Sequence, residues 1–420
     1  MEQRRFALVF FISTLAEQRI LGHVSQHFGR FNIVMTLSST ISGLARLADS
    51  PPLPPTRELI ESLQKLRPDV SDIFLSPMRL PEVRAGGQII RPDAASLPVL
   101  VPEDTRRIAS DLIGNRPSAL PRLEAEGSCH FSCFLAGGSR FRVNIFSQRG
   151  SYAIALRAIP DPLLPTFETL MLPSQLARLT RFRSGLVIVS GPAGAGKSST
   201  LAAILGRINE EQEVHIVTIE DPIEFQFRHS KATVLQRELH RDVPSFPLAI
   251  RSALRHPPHV IFLSAIPGRE TMDAALEAAD CGHLVFAALH TPDVSRTLEH
   301  ILRFFSPTEE RVTRARLGRS IRAVVSQRLL CKKDGNGQTP VFEILFSTAR
   351  TRECMQSGEE GAMSLTQALR EEHREGMQCF EDELRRLHSS GVIEGDAGWE
   401  ELYGDAAPPH GSRELHWVLS

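Results

Sequence analysis

The sequence has no excess of charge of either sign, because 48 Lys and Arg stand against 49 Asp and Glu in its 420 residues. A chain this close to neutral has no overall field to draw it to nucleic acid or to a membrane surface. It also has no cluster of basic and aromatic residues of the kind that binds nucleic acid. The composition therefore predicts that nucleic acid is not a partner.

Cysteines and long apolar runs are scarce as well. Of the six cysteines, only Cys129 and Cys133 are close together, and one such pair lacks the second half of a zinc site. We therefore expect free thiols in a reducing cytosol. The apolar run from Phe6 to Ile12 is too short to span a bilayer. The sequence thus predicts a cytoplasmic protein. Met35 is a second candidate for the start of translation, beside Met1.

Two proline-rich stretches divide the chain, since proline blocks the continuation of regular structure. They are "SPPLPPT" (50–56) and "AIPDPLLPTFETLMLP" (158–173). We predict, in order, an N-terminal extension with linker, an N-terminal domain, a hinge, a central domain, a C-terminal helical region and a tail. Their predicted ranges are 1–56, 57–160, 161–174, 175–350, 351–404 and 405–420.

The hydrophobic pattern changes after the second proline-rich stretch. Short apolar runs, "GLVIVS", "VHIVTIE", "HVIFLS" and "HLVFAALH", alternate there with helical stretches such as "STLAAILGRIN" and "TMDAALEAAD". This alternation is typical of a mostly parallel α/β sheet covered by helices. The N-terminal domain instead contains short, mixed strand-like segments, among them "SDIFLS" and "RFRVNIFSQRG".

The strongest chemical signal lies between an apolar strand and a helix, where "GPAGAGKS" fits the phosphate-binding loop G-x-x-x-x-G-K-[ST]. Glycines allow successive backbone N–H groups to point inward and bind an anion at the helix N-terminus. Lys197 is expected to reach the β- and γ-phosphates, and the Ser198 hydroxyl to bind Mg²⁺. The predicted ATP-binding residues are Gly191, Pro192, Ala193, Gly194, Ala195, Gly196, Lys197, Ser198 and Ser199.

Acidic and histidine residues flank two further strands. "TIEDPIEF" ends one strand with Glu220 and Glu224, and carboxylates at the carboxyl end of a parallel strand face the ligand crevice. Taken alone, this segment is more often a solvated acidic turn. His283 and His290 bracket another strand, where a single histidine is usually structural.

Together these motifs resemble the PilT-like pilus-retraction ATPases, within the larger family of type II and type IV secretion ATPases. The resemblance runs from Ser71 to about Gly404. It includes the phosphate loop (Walker A), "TIEDPIEF" (the Asp box) and "GHLVFAALHT" (the His box). It also includes "SDIFLSPMRLPEVRAGGQI", "RFRVNIFSQRG", "QRELHRDVPSFPLAIRSALR", "VVSQRLL" and "GMQCFEDELRRLHSSGVI".

The resemblance implies a PAS-like α+β N-terminal domain followed by a RecA-like P-loop NTPase domain. It further implies ATP and Mg²⁺ as ligands, a ring hexamer, and a position peripheral to the inner membrane against a pilus or secretion platform protein. The implied catalytic residues are Glu220, Glu224, His283, His290, Arg142 and Arg157, with Arg140 and Arg149 as further candidates for phosphate contacts.

One strand departs from the family pattern. In "HPPHVIFLSAIPGRE" (256–270), Ala265 occupies the position of the family's water-orienting glutamate, and the acidic residues expected before the strand are replaced. A methyl group cannot accept a proton, so hydrolysis is expected to be impaired while binding is retained. Two alternatives remain. One is an active motor that uses Glu220 or Glu224, and the other is a non-hydrolysing regulatory or scaffold subunit that works with an intact paralogue.

Overall fold

A computed structural model describes residues 52–92, 96–114, 116, 119–134, 139–159, 164–335, 337–358, 364–372 and 375–394. Within these ranges the chain forms two compact units. The first contains 52–114, 122–129 and 143–158, and the second contains 116–121, 130–142 and everything from 159 onward. The predictions for the N-terminal extension, the start site, residues 395–404 and the tail lie outside the described residues.

The first unit is built on a six-stranded sheet in the order β3-β2-β1-β6-β5-β4. β1 pairs antiparallel with β2 and β6, and β2 pairs antiparallel with β3. The strands are β1 Val70–Leu75, β2 Glu82–Ala85, β3 Gln88–Ile90, β4 Ser128–Phe134, β5 Arg140–Gln148 and β6 Ser151–Ile159. The helices are α1 Thr56–Gln64, α2 Pro102–Ile113 and α3 Ala119–Glu126. The predicted α+β arrangement is confirmed, although the ends of β4 and β5 nearest residues 135–138 belong to the second unit.

The second unit contains a seven-stranded sheet in the order β13-β12-β7-β11-β10-β8-β9. Six strands run parallel, and β13 pairs antiparallel with β12 at one edge. The strands are β7 Gly185–Ser190, β8 His215–Glu220, β9 Thr233–Glu238, β10 Val260–Leu263, β11 Leu284–Leu289, β12 Ile321–Cys331 and β13 Gln338–Phe346. This confirms the mostly parallel α/β sheet predicted from the alternating pattern.

Helices cover the central strands of this sheet. They are α4 Lys197–Glu211, α5 Phe246–Ala253, α6 Arg269–Asp280, α7 Val294–Leu302, α8 Glu310–Ser320, α9 Ala349–Ser357, α10 Leu365–Glu371 and α11 Phe380–Ser389, with two short 3-10 helices at Ser174–Arg181 and Pro307–Glu309. Every residue of β7, β10 and β11 is buried. Strands buried on both faces must be apolar throughout, which explains why these segments do not alternate with polar residues.

The strand order determines where a ligand can bind. β7, β11, β10 and β8 are successive neighbours and run parallel, so their carboxyl ends lie along one edge of the sheet. Four sequence segments follow these strands: the phosphate loop, His290, the Ser264–Ala265 pair and the Asp box. In open parallel sheets, ligands bind beyond this edge. The fold therefore brings together segments that are up to about a hundred residues apart in sequence.

All six cysteines lie in the described part of the chain, and all are free thiols, as the sequence predicted. No helix among the described residues combines the length and apolar character that a membrane span requires.

Candidate active site

The phosphate loop connects β7 to α4 and packs closely against β12. Gly191, Gly194 and Gly196 have φ values of 152°, 81° and 84°, in the region that favours glycine. A Cβ at Gly191 would overlap the backbone carbonyl oxygen of Gln327, and a Cβ at Gly196 would lie 2.9 Å from Nε2 of the same residue. Gly191 and Gly196 are therefore required both by the backbone conformation and by the space available, and Gly194 by the backbone conformation alone.

This packing gives a direct test of the loop. Gly191→Ala is expected to destabilise the protein by about 1–3 kcal/mol, because the added methyl group meets backbone atoms that cannot move away cheaply. Gly206→Ala is the matched control, since a Cβ there meets nothing within 4 Å. Alanine favours helix by up to about 1 kcal/mol over glycine, so the control should lose no stability. Chemical denaturation measures both, and equal stability of the two variants would contradict the packing argument.

Lys197 is the first residue of α4, and its side chain folds back over the loop. The Nζ atom donates hydrogen bonds to the carbonyl oxygens of Gly191, at 2.9 Å, and Pro192, at 2.8 Å. Burial lowers the pKa of Lys197, and the charge of Glu224 partly offsets this effect. The ammonium group is thus a largely desolvated cation held only by neutral oxygens, and a phosphate group is a stronger partner for it.

The Asp-box acids lie beside the loop. Ser198, Glu220, Glu224 and Ser264 line one small pocket of the second unit. This pocket places the hydroxyl proposed for Mg²⁺ next to the two predicted catalytic carboxylates. Oxygen ligands of this kind are those that Mg²⁺ prefers, so the residues present fit the ion.

Glu220 differs strongly from Glu224 in its environment. Glu220 is 4% exposed, whereas Glu224 is exposed to solvent. Burial raises the pKa of Glu220 to about 7, although hydrogen bonds from Thr218, at 2.6 Å, and Gln236, at 3.1 Å, act in the opposite direction. Its carboxyl group therefore changes protonation state near neutral pH, which is the range in which a general base is effective.

None of the five residues that follow β10 carries a carboxylate. The strand ends at Leu263, and the next five residues are Ser, Ala, Ile, Pro and Gly. Ser264 accepts a hydrogen bond from the backbone N–H of Asp221 at 3.0 Å, while Ala265 packs against the apolar core. The end of β10 therefore supports the Asp box but supplies no group that can accept a proton.

The two predicted histidines lie at opposite ends of β11. His290 follows the strand on the phosphate-loop side, and burial together with the charge of Lys197 lowers its pKa. His283 precedes the strand, and its Nδ1 lies 2.6 Å from the carbonyl oxygen of Pro258. Six strand residues separate them by roughly 20 Å. The structure brings His290 to the loop and places His283 away from it.

The predicted arginines have different surroundings. Arg140 is 3% exposed and donates to the backbone carbonyls of Ile223 and Glu224, the latter at 3.0 Å. These two bonds engage both terminal nitrogens of its guanidinium group with the Asp box, whereas its buried Nε atom has no hydrogen-bond partner among the described residues. Arg142 is exposed, and its positive charge is one of those acting on Asp221.

The remaining two arginines belong to the first unit. The Nε atom of Arg157 lies 2.8 Å from Oδ1 of Asp72, a buried carboxylate. Burial raises the pKa of Asp72, but hydrogen bonds from Arg157 and Ser71 and nearby positive charges outweigh it, so that its pKa is lowered. Arg149 is exposed and has a φ of 45° in the turn between β5 and β6.

Gln327 was not predicted from the sequence as part of the site. This buried residue on β12 contacts the phosphate loop and accepts a hydrogen bond from Thr200 of α4 at 2.7 Å. The signal was present in "VVSQRLL", where a polar Ser-Gln pair interrupts an apolar run. Buried polar groups are nearly always hydrogen-bonded, so such an interruption points to a specific partner.

A glycine-rich loop between a buried strand and a helix, beside carboxylates at the same sheet edge, defines a RecA-like P-loop nucleotide-binding domain. The chain belongs to the family of type II/IV secretion system proteins, whose model matches residues 138–390. This confirms the family indicated by the sequence motifs.

Known proteins of this family are similar to the chain over most of its length. It is 35% identical over 335 residues to the twitching motility protein of Neisseria gonorrhoeae, covering 80% of this chain and 86% of the relative. It is 36% identical over 323 residues to the type IV pilus retraction ATPase PilT of Pseudomonas aeruginosa, covering 77% and 91%. The crystal structure of the pilus retraction motor PilT with bound ADP superimposes with a TM-score of 0.72 at 36% identity, covering 84% of this chain and 97% of that one.

Proposed function

We propose that this protein is an ATP-binding subunit of a PilT-like motor that serves type IV pilus retraction, twitching motility or a related secretion machine, and that it hydrolyses ATP slowly. The observation that carries the proposal is a complete phosphate loop beside a β10 strand that ends in Ser264 and Ala265. Relatives named for twitching motility and pilus retraction support the biological role.

The residues around the loop have distinct proposed roles. Lys197 exchanges its two carbonyl partners for the β- and γ-phosphates, and Ser198 binds the Mg²⁺ that accompanies ATP. When bound there, Mg²⁺ would supply positive charge against the phosphates. Glu220 and Glu224 hold water or the ion in the adjoining pocket, and His290 lies after β11, where the charge of Lys197 acts on it. The water-orienting glutamate is missing at Ala265.

The experiment that tests this proposal measures nucleotide affinity and turnover on the same preparation. We expect micromolar-range binding of Mg-ATP, as is ordinary for such sites, together with a kcat well below the roughly 1 s⁻¹ lower end of common enzymes. Turnover in the ordinary range would contradict the impaired-hydrolysis proposal. Absence of nucleotide binding would instead contradict the assignment of the loop.

A second candidate function, a fully active motor, is favoured by the position of Glu220, a buried carboxyl group that lines the pocket with Ser198. The pKa of Glu220 is raised to about 7 by burial, which suits a general base. In this case its deprotonated form carries the reaction, so kcat should rise as the pH increases from about 6 to 8. Glu220→Gln should remove that rise, whereas Glu224→Gln, which changes an exposed carboxylate, should leave the pH profile in place.

The proposed motor also requires self-association. We expect a ring hexamer of this chain, or a mixed ring with an intact paralogue, that acts on an inner-membrane platform protein from the cytoplasmic side. Analytical ultracentrifugation in the presence of Mg²⁺ and a non-hydrolysable ATP analogue should show a species of about six subunits, by analogy with the ring assemblies the resemblance implies. A monomer at all protein concentrations, alone and with a co-expressed paralogue, would contradict this expectation.

A further inference from the structure

Three potential metal ligands from separate segments meet within the second unit. They are His130 on β4, Asp221 in the Asp box and His240 in the turn after β9. Each residue offers one ligand atom, and these three atoms all lie within 4.8 Å of one another. Nε2 of His130 is 3.5 Å from Oδ2 of Asp221, and the two imidazole rings stand edge to face with centroids 5.9 Å apart. All three residues are half-buried, so an ion has access from solvent.

Two imidazoles and one carboxylate form a ligand set suited to divalent transition metals. Zinc binds such ligands at about 2.0–2.2 Å in a tetrahedral arrangement, which places ligand atoms roughly 3.3–3.5 Å from one another. The His130–Asp221 pair already has this separation. A ligand atom of His240 lies within 4.8 Å of those of both partners, and water would take the fourth position, as it does in three-ligand zinc sites.

The backbone that carries these ligands is held by buried hydrogen bonds. Ser132, two residues after His130, donates its hydroxyl to Glu238 at 2.7 Å, and Glu238 lies two residues before His240. Both residues are at most 2% exposed. The backbone N–H of His240 donates to the carbonyl oxygen of Val243 at 2.7 Å. His240 itself has a φ of 63°, which residues other than glycine rarely adopt. The site is therefore supported by fixed neighbouring structure, a property of specific metal sites.

A simple ion pair between His130 and Asp221 is the alternative explanation for the cluster. It accounts for the 3.5 Å contact, and His240 can act as a second positive charge beside Asp221, so the metal titration is what separates the two explanations. Arg142 adds a positive charge near Asp221, which opposes a bound cation. Its side chain is exposed, however, so solvent and salt screen that charge.

We propose that His130, Asp221 and His240 bind one divalent transition-metal ion of the zinc class, separate from the Mg²⁺ that accompanies ATP at Ser198. The ion joins β4 and the turn after β9 to the Asp box. Arg140, on β5, already binds the backbone of the Asp box. The metal ion is a second connection to the same segment, and it exists only when the ion is bound. Occupancy would fix the Asp box that lines the pocket with Glu220 and Glu224, and so connect metal availability to the nucleotide site.

The test uses the full-length chain, stripped with a chelator, without nucleotide or Mg²⁺. Co²⁺ is titrated in as a spectroscopic probe, and Zn²⁺ is then added to displace it. We expect one equivalent of Co²⁺ with visible absorption of a low-coordinate site, and tighter binding of Zn²⁺. His130→Ala, His240→Ala and Asp221→Asn should each weaken binding at least about 10–100-fold, the range seen when even supporting groups around a metal are removed.

His256→Ala is the matched control, because His256 is an exposed histidine of the same unit. It should bind the metal as the wild type does. All six free thiols are retained in the wild type and in every variant, so metal binding to cysteine would give the same titration for all of these proteins. Identical titrations of the wild type and the three variants, or no binding by the wild type, would overturn the proposal.

Thermal unfolding gives a second readout and a check on folding. Saturating Zn²⁺ should raise the melting temperature of the wild type and of His256→Ala, since a ligand that binds only the folded state stabilises it. The three ligand variants should melt near the metal-free wild type and show no increase with Zn²⁺. If an alanine variant does not fold, Asp221→Asn, which keeps the side-chain size, decides the question.

Discussion

Lys197→Ala is expected to weaken the binding of Mg-ATP by roughly 100-fold. The ammonium group is buried and already within hydrogen-bond distance of two loop carbonyls, so it is positioned at the place where phosphates would bind. Hydrogen bonds that involve a charged group contribute about 1.5–3 kcal/mol, and each 1.4 kcal/mol is a factor of ten in affinity. Calorimetry with ADP or a non-hydrolysable ATP analogue in the presence of Mg²⁺ measures the change directly.

Lys231→Ala is the matched control for this prediction. Lys231 is an exposed lysine of the same unit, close to the start of β9, and its removal changes the net charge by the same amount. An exposed charge is screened by salt, so its loss should alter the affinity by less than about twofold at physiological ionic strength. If both variants bound as the wild type does, the phosphate loop would lose its assignment as the nucleotide site.

The sequence predicted the central fold well because each element was specified locally. The runs that became β7, β10 and β11 are apolar except for Ser190 at the end of β7, and strands of this kind occur where helices cover both faces of a sheet. The phosphate loop was equally local, since eight consecutive residues define both its glycines and its lysine. The pocket shared by Ser198 and Glu220 followed from the rule that parallel strands present their carboxyl ends at one edge.

Individual partners could not be predicted, because they depend on side chains far apart in sequence. Arg140 was a candidate phosphate contact, yet it binds backbone carbonyls of the Asp box more than 80 residues later in the chain. The sequence likewise gave no indication that Arg157 pairs with Asp72. His283 and His290 were considered together because both flank one strand. A strand has two ends, however, and only one of them meets the phosphate loop.

The departure at Ala265 was readable from the sequence, but its structural setting was not. Ser264 has a structural role, because its hydroxyl accepts a hydrogen bond from the backbone N–H of Asp221. The end of β10 thus contacts the Asp box while lacking a carboxylate. This combination is the physical reason for our proposal that binding and hydrolysis are separated here.

Ala265→Glu is expected to raise kcat by about 100-fold with little change in nucleotide affinity. A positioned acid–base group typically contributes about 10²–10⁴ in rate, and one that orients the attacking water acts mainly in the transition state. We expect the low end of this range for two reasons. Pro257 and His259, before the strand, also differ from the family pattern. The hydrogen bond between Ser264 and Asp221 constrains the end of the strand. Steady-state turnover and calorimetric Kd, measured on the same variant, separate the two effects.

Ala265→Gln distinguishes the carboxylate from mere bulk, since glutamine has nearly the same size as glutamate but cannot accept a proton. It should bind nucleotide as the wild type does and gain no turnover. Ala265 is half-buried against the apolar core, so both variants place a polar group at the same boundary and share the same cost in stability. A gain in both variants would show that packing at the end of β10, and not a missing base, limits hydrolysis.

Fast wild-type turnover that collapses in Glu220→Gln would instead assign the base to the Asp box. The buried carboxyl group of Glu220, with its pKa of about 7, would then be the group that accepts the proton.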